Sequence, residues 1–414
     1  MYDQSFSRPA LNKMLRRIDF WNHPFVSDDA FRDHVLRAAE KSANSVLSQG
    51  LPFEHIKAGN REIYRLRKIP DQLIVRKLTQ NIKRLIRVRQ WSRNTVIKNL
   101  IKLLSEGLHY RIYRLDIKKF YSSFIPGDVL AKIRGRTALS PLSCDLLERI
   151  FQLFAAIGGQ GLPTGLAISA ALSDFMMIEF DNYIRNNDAV YFYARYVDDI
   201  LIVTNGSEKP KRLLHQLVKQ LPGGLSLNYD KVRIADAPQK APAASPNARP
   251  LKIDFLGYAF SVNTPPDKKI FRPVKVDISP RKIAKIKARI SRSFLSFVEN
   301  KDFLLLEARI KFLTSNFDVL DPNTGARKLA GIYESFPHIR CSPPEGLESL
   351  NRFLAGAALG GKGRVFSRSA PHLTSKQRRK LMAYSFTKGH ELRIFCHFSR
   401  HRLAQIKECW KYGK

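Results

Sequence analysis

The sequence predicts an α+β fold in which an antiparallel sheet is backed by helices and followed by a basic helical region. Residues 193–203 place apolar, β-branched and aromatic side chains on both sides of Asp198 and Asp199, as two strands joined by a tight turn would. Residues 110–117 alternate as a half-buried strand does. Apolar residues at helical spacing before, between and after these strands predict the helices.

The acids Asp198 and Asp199 are expected at the tip of this hairpin. Neighbouring side chains point to opposite faces of a straight strand, but two carboxylates can converge at a tip. Unpaired carboxylates ~4 Å apart would repel by ~4 kcal/mol at an effective dielectric of about 20. A divalent cation is therefore the expected partner. A surface turn is the alternative, because Asp is a common turn residue.

A third acid, Asp116, ends the strand at 110–117 among cations. Alone, it would suit an exposed strand end paired with Lys118 or Arg114. Together with the later pair, it offers a third carboxylate for a site that holds two metal ions. Mg²⁺ prefers such oxygen ligands, with the Ile117 carbonyl as a further donor, and Mn²⁺ could substitute.

The charge of the chain indicates its partner. Lys and Arg number 71 against 36 acidic residues, a formal net charge of +35. This excess indicates a polyanion, most simply a nucleic acid. A membrane surface is the competing partner, but no apolar run reaches the ~20 residues needed to span a bilayer. Scattered cysteines and the lack of signal-peptide features predict a reducing cytoplasm.

Five ordered blocks resemble the reverse transcriptases. Motifs A to E of that family are similar, in order, to residues 116–121, 159–165, 196–199, 227–231 and 255–258. The second of these blocks leads into a predicted helix at 167–184. The resemblance covers roughly residues 61–300 and is strongest to the bacterial retron-like and defence-associated group. The opening residues 3–7 resemble the first polymerase of the paired type 3 defence systems.

The resemblance implies a right-hand polymerase with fingers, a palm that carries the antiparallel sheet, and a helical thumb. The corresponding boundaries are an N-terminal helical extension at 1–60, fingers at 61–109, a palm with fingers elements at 110–275, a thumb at 276–320 and a basic, RNA-binding helical region at 321–414. The Pro- and Ala-rich residues 236–250 are expected to form a flexible insertion.

The implied activity is RNA-directed DNA synthesis, in which a 3′-hydroxyl is extended with dNTPs on an RNA template to give a DNA product. The same resemblance implies bacterial cytoplasm, anti-phage defence, a dedicated structured non-coding RNA, and either a second reverse transcriptase or another copy of this chain as partner. Alternatives are template-independent synthesis, a protein-primed strand, and a catalytically idle RNA-binding scaffold.

The resemblance also assigns roles to individual residues. It gives the catalytic, metal-binding acids as Asp116, Asp198 and Asp199, with the backbone of Ile117. It gives the nucleotide-binding residues as Tyr121, a gate against 2′-hydroxyls, Gln160 and Gly161 beside the nucleotide, and Lys231 near the leaving pyrophosphate. The alternative for Tyr121 is a packed core tyrosine. The primer-grip turn comprises Phe255, Leu256, Gly257 and Tyr258.

The remaining expectations concern cations and helix ends. The basic fingers cations expected to meet the triphosphate are Arg67, Arg76 and Lys77. Capping signals predict helices that begin after Asp28, Ser279, Asp302 and Thr374. Aromatic residues among the cations of 363–414 suit RNA binding or a helical core. A zinc site is an alternative for Cys396, His397, His401 and Cys409, although their spacing matches no common site.

Overall fold

The computed structural model describes residues 2–58, 61–86, 91–237, 250–263, 271–321, 325–360 and 364–411. The chain forms two compact units. The first comprises Met1–Ser92, His109–Ala237 and Pro322–Gly325, and the second comprises Arg93–Leu108, Pro238–Asp321 and Ala326–Lys414. The helix after residue 92 and the strands after residue 250 group with the C-terminal helices, and the boundaries given for fingers, palm and thumb stay predictions.

The helices are α1 (Arg8–Asn12), α2 (Arg17–Asn22), α3 (Asp29–Asn44), α4 (Ile69–Ile86), α5 (Arg93–Leu104), α6 (Pro126–Arg136), α7 (Pro141–Ala156), α8 (Ala167–Met176), α9 (Ile178–Arg185), α10 (Pro210–Gln220), α11 (Pro280–Asn300), α12 (Phe303–Thr314), α13 (Ile332–Ser335), α14 (Glu345–Leu359), α15 (Arg364–Ser369), α16 (Ser375–Met382), α17 (Phe386–Glu391) and α18 (Arg400–Glu408). Short 3₁₀ turns occupy Pro24–Ser27, Phe120–Ser123, Tyr229–Lys231 and Ala370–His372. None of the described helices is long and apolar enough to cross a membrane.

The strands are β1 (Phe53–Ala58), β2 (Arg61–Leu66), β3 (Tyr110–Asp116), β4 (Val190–Tyr196), β5 (Asp199–Thr204), β6 (Arg233–Ala237), β7 (Leu251–Phe255), β8 (Tyr258–Val262), β9 (Val274–Ile278), β10 (Asn316–Leu320) and β11 (Arg327–Gly331). The first unit contains the hairpin β1–β2 and a four-stranded sheet in the order β4-β5-β3-β6. The second contains the sheet β7-β8-β9 and the hairpin β10–β11. All strand pairs within these sheets are antiparallel.

The four-stranded sheet is fixed in register by its buried strands. Ile200, Leu201, Ile202 and Val203 of β5 are all fully buried, so both faces of this strand are covered. A slip by one residue would move every side chain of β3 or β5 to the opposite face. The apolar bodies of these strands therefore determine where their polar ends lie.

The predicted helix caps are largely confirmed. Asp28 and Asp302 accept hydrogen bonds from the backbone amides of Phe31 and Leu305, and Thr374 forms the predicted capping box. Ser279 does precede α11, but within the described residues its side chain makes no capping bond.

Two features differ from the sequence-based expectations. The predicted helix at 167–184 is two helices, α8 and α9, separated at Met177, and no Gly or Pro marks that break. The N-terminal region contains strand β1 in addition to its helices. Of the predicted insertion at 236–250, residues 238–249 lie outside the described residues.

Candidate active site

A two-residue loop joins β4 to β5. Tyr196 pairs with Asp199 at the end of the ladder, so Val197 and Asp198 form the loop. Val197 has φ +62°, a left-handed conformation that is rare for a β-branched residue. Such backbone strain costs about 1–3 kcal/mol and persists only where the surrounding structure fixes it.

The loop lies beside the end of β3. Asp116 is the ladder partner of Asp199, and the amide of Ile117 donates to the carbonyl of Asp198 at 3.1 Å. The three predicted acids therefore come together at one end of the sheet, although they belong to separate blocks of the sequence. The side chain of Ile117 is apolar and buried, and it has no donor atom. Only the backbone carbonyl of Ile117 could serve as a ligand.

The segment after α10 closes the other side of Asp116. The backbone N–H of Asn228 donates to the backbone carbonyl of Asp116 at 2.7 Å. The side-chain Nδ2 of Asn228 donates to Oδ2 of Asp116 at 3.3 Å. Lys231 donates its ammonium to both carboxylate oxygens of Asp116, at 3.0 and 2.9 Å. Lys231 therefore lies beside Asp116 and neutralises its charge, and its role near the leaving pyrophosphate stays a prediction.

The electrostatics of the acids favour a cation. Burial raises the pKa of Asp198 above its ordinary value, and the charges of Asp116 and Asp199 raise it further. Asp199 has an ion pair with Arg114 at 3.5 Å. Within the described residues, no three His, Cys, Asp or Glu side chains are arranged to hold a metal ion as they stand. The carboxylate oxygens of the three acids nevertheless fit a divalent cation. Their negative charges repel one another, and a bound cation would offset that repulsion.

The block at 159–165 is attached to the block at 116–121 by backbone contact. The amide of Leu162 donates to the Tyr121 carbonyl at 2.8 Å. Gly161 has φ +65°, and a Cβ there would lie 2.5 Å from the same Tyr121 carbonyl oxygen. Gly161 is therefore required by its approach to the Tyr121 backbone, and its place beside the nucleotide stays a prediction. Gln160 is exposed.

Tyr121 lies between the core and the acids. Its ring packs edge-on against Phe120 and partly joins the hydrophobic core of the unit. Burial is the largest cause that raises the pKa of the Tyr121 phenol. The negative charge of Asp174 raises it further, and that of Asp198 contributes less. The position is compatible with both the gate and the core interpretation.

The hairpin β1–β2 supports the same block from the fingers side. The amide of Tyr64 donates to the Thr164 carbonyl at 2.7 Å. Gly165 has φ +103°, and a Cβ there would lie 2.6 Å from Ile63. Sequence reasoning missed this hairpin, because residues 61–66 show no regular alternation of apolar and polar side chains.

The three fingers cations are held by partners within the first unit. Arg76 is 12% exposed and makes two contacts with Asp19, at 2.5 and 2.9 Å. Lys77 is 3% exposed and donates to the Asp3 carbonyl at 2.7 Å. Arg67 is exposed and donates to Glu54 at 2.6 Å. The expectation that Arg76 and Lys77 present free cations is corrected, because the N-terminal segment occupies their charged groups.

The primer-grip residues form a tight turn in the second unit. Phe255 pairs with Tyr258, and Leu256 and Gly257 both have positive φ, +46° and +86°. This is the pattern of a type I′ turn. Arg93 donates to the Leu256 carbonyl at 2.9 Å, and its guanidinium lies 4.8 Å from the centre of the Tyr258 ring.

The alternative zinc site is not formed among the described residues. His397 instead contacts Asp318 at 3.1 Å. Several aromatic side chains of the C-terminal region are core residues: Phe386 is fully buried, and Phe366 and Phe398 are 8% exposed. Phe395 is 52% exposed. Burial therefore supports the core interpretation for Phe386, Phe366 and Phe398, and RNA binding by the region stays a prediction.

Residues 65–260 match the family model described as reverse transcriptase (RNA-dependent DNA polymerase). The matched region includes the strands and loops that bring the three acids together. The chain carries a reverse transcriptase domain. The chain is accordingly an RNA-directed DNA polymerase, a nucleotidyltransferase that copies RNA into DNA from dNTPs. No curated protein sequence matched this chain.

Proposed function

We propose that the reverse transcriptase domain extends a 3′-hydroxyl with dNTPs at a site formed by Asp116, Asp198 and Asp199. The observation that supports this proposal most directly is the ladder pairing of Asp116 with Asp199, together with the hydrogen bond between Ile117 and Asp198. Buried strands fix the backbone positions of these residues, so the fold itself brings the three acids to one end of the sheet.

The acids fit Mg²⁺, which would be held by the three carboxylates and the Ile117 backbone. When bound, such ions stabilise the charge that develops on phosphate oxygens during transfer. Lys231 is positioned to exchange its contact with Asp116 for a phosphate oxygen of the nucleotide. Tyr121 would close the site beneath the sugar, with Gln160 and Gly161 beside the nucleotide. The turn at Phe255, Leu256, Gly257 and Tyr258 would hold the primer end.

A double substitution tests the site. We expect Asp198→Ala with Asp199→Ala to abolish DNA synthesis on a primed RNA template while the melting temperature stays near that of the unmodified chain. Asp188→Ala, which removes an exposed acid from the loop before β4, is the matched control and should retain activity. Full synthesis by the double variant would contradict the assignment.

We further propose that the template is a dedicated structured RNA and that the enzyme acts in bacterial anti-phage defence, with a second reverse transcriptase or another copy of the chain as partner. The resemblance of the sequence blocks to the defence-associated group supports this placement, and the net charge of +35 supports a large RNA partner. Sequencing the RNA and DNA that co-purify with the chain from a bacterial host tests it. A heterogeneous RNA population matching the whole transcriptome would contradict a dedicated template.

The alternatives are separable by simple assays. A protein-primed strand would change its electrophoretic mobility after protease treatment. Template-independent synthesis would continue without RNA. An idle scaffold would bind RNA and incorporate no dNTP, but the arrangement of all three acids favours an active enzyme.

A further inference from the structure

We propose that Arg195 is a positioning residue. It holds the Val197–Asp198 loop in the conformation that the reaction at Asp198 requires. This inference rests on the proposed function of Asp198. It concerns a residue that no sequence motif singled out and that lies beneath the acids rather than among them.

The guanidinium of Arg195 is buried and locked in one orientation. Its side chain is 2% exposed. Its Nε and Nη2 donate in parallel to Oδ1 and Oδ2 of Asp181 in α9, both at 2.8 Å. A two-point contact of this kind fixes the plane of the guanidinium as well as its place.

The carboxylate of Asp181 is itself held from a second direction. Tyr193, two residues before Arg195 on β4, donates its hydroxyl to Asp181 Oδ1 at 2.6 Å. The carboxylate is buried, with its side chain 7% exposed. Helix α9 is thereby joined to β4 through a hydrogen-bonded network that leaves the Arg195 fork little freedom to rotate.

The remaining arm of Arg195 reaches the active-site loop. Its Nη1 lies 3.4 Å from the Val197 carbonyl oxygen and 3.4 Å from Oδ1 of Asp174 on α8. The Val197 carbonyl belongs to the peptide that leads into Asp198. Arg195 therefore connects α8 and α9 to the one peptide whose orientation sets where the Asp198 carboxylate points.

The backbone of this loop needs such support. Val197 has φ +62°, which a β-branched residue adopts only where its surroundings hold it. A charged donor under the Val197 carbonyl supplies a contact that a relaxed loop would lose. The strain and the contact occur at the same residue, Val197. We infer that the contact with Arg195 keeps the loop in this strained conformation.

A purely stabilising salt bridge is the competing explanation. Buried ion pairs can often be replaced by apolar residues of similar size without loss of stability. A double variant, Arg195→Met with Asp181→Leu, therefore separates the two explanations. It removes both buried charges together, and it also removes the donor under the Val197 carbonyl.

The experiment uses the full chain, a primed RNA template and single-nucleotide addition. We expect the double variant to keep its melting temperature and its affinity for primed template, while kcat falls about 100-fold with the KM for dNTP little changed, the size of effect that a misplacement of about 1 Å produces. Arg185→Met is the matched control, because Arg185 lies 5.5 Å from the centre of the Tyr193 ring and, within the described residues, makes no hydrogen bond or ion pair with Asp181 or with the loop.

Arg195→Lys keeps the buried charge and tests the inference if the double variant does not fold. An ammonium cannot reproduce the parallel contact with Asp181 and reach Val197 at once, so we expect kcat to fall at least about tenfold. Unchanged kcat in Arg195→Lys, or in a folded double variant, would overturn the positioning role. So would a loss of kcat that is matched by an equal loss of template affinity.

The failure of this inference is distinguishable from failure of the proposed function. Asp198→Ala with Asp199→Ala is measured in the same assay. Activity in that variant removes the proposed site altogether. Loss of activity there, combined with full kcat in the Arg195 variants, removes only the positioning role.

Discussion

Asp116 faces Asp199 across the β3–β5 ladder, and this single pairing joins two blocks that are far apart in the sequence. The pairing depends on the apolar residues behind it, because the register of both strands is fixed by burial. The acids are thus placed by side chains that take no part in chemistry. Substitutions around this pair should separate effects on chemistry from effects on folding.

Gly161→Ala should impair both stability and synthesis. A Cβ at this position would lie 2.5 Å from the Tyr121 carbonyl oxygen at a φ of +65°, so we expect a loss of about 2–4 kcal/mol from strain and overpacking combined. Gly158→Ala is the control: its φ is +79°, but a Cβ there would meet no described atom within 4 Å, so only about 1–2 kcal/mol should be lost. Urea unfolding measures both, and equal losses would contradict the close approach.

Tyr121→Ala should weaken the discrimination against ribonucleotides. Removing the ring opens the space beneath the sugar, so we expect the ratio of kcat/KM for rNTP to that for dNTP to rise at least about tenfold. Tyr121→Phe keeps the ring and loses only the hydroxyl, and should retain the discrimination. The ratio is measured by single-nucleotide addition of matched dNTP and rNTP. An unchanged ratio in Tyr121→Ala would favour the core interpretation.

Lys231→Ala should slow dNTP addition without unfolding the chain. Its ammonium contacts both oxygens of Asp116, and the side chain is 59% exposed, so its packing contribution is small. We expect a loss of about 100-fold in kcat if Lys231 assists the leaving group. Arg233→Ala removes a nearby exposed cation whose hydrogen bonds, among the described residues, go to the backbone carbonyls of Asp230 and Val232, and this variant should be near normal. Rapid-quench addition of one nucleotide distinguishes the two variants.

Arg93→Ala should loosen the turn at residues 256–257. Arg93 donates to the carbonyls of Leu256 and Ser335, at 2.9 and 2.7 Å, and lies over the Tyr258 ring. We expect the second unit to lose about 2–3 kcal/mol, since charged hydrogen bonds and a cation–π contact are removed together. Hydrogen exchange of the turn amides reports the change. The control is Lys98→Ala, because Lys98 is an exposed residue on the same helix, α5. Similar exchange of the turn amides in both variants would refute the role of Arg93.

The parts of the fold that could be predicted from the sequence are those governed by local patterns. The alternation of β3, the apolar flanks of Asp198 and Asp199, and the capping signals at Asp28, Asp302 and Thr374 each depend on neighbouring residues alone. Local geometry and burial therefore suffice to place these elements.

The parts that could not be predicted depend on long-range partners. Arg76 lies in a basic run that suggested substrate contact, but Asp19 binds it from another region of the chain. Arg195 resembles any strand cation in the sequence, and its two-point contact becomes visible only when α9 packs beside β4. The division of the chain into units is likewise set by contacts between distant segments. A single sequence carries no signal that identifies such pairs.

The interior arginines and lysine have a consequence for RNA binding. Arg76, Lys77, Arg195, Arg272 and Arg309 are buried or nearly so. In these positions they cannot contact phosphates, so they displace none of the counterions condensed on a polyanion. A titration with KCl should therefore give a gentler slope of log K against log [salt] than the formal charge of the chain would suggest. The salt tolerance of RNA binding would then follow the charge that lies on the surface, and not the formal net charge of +35.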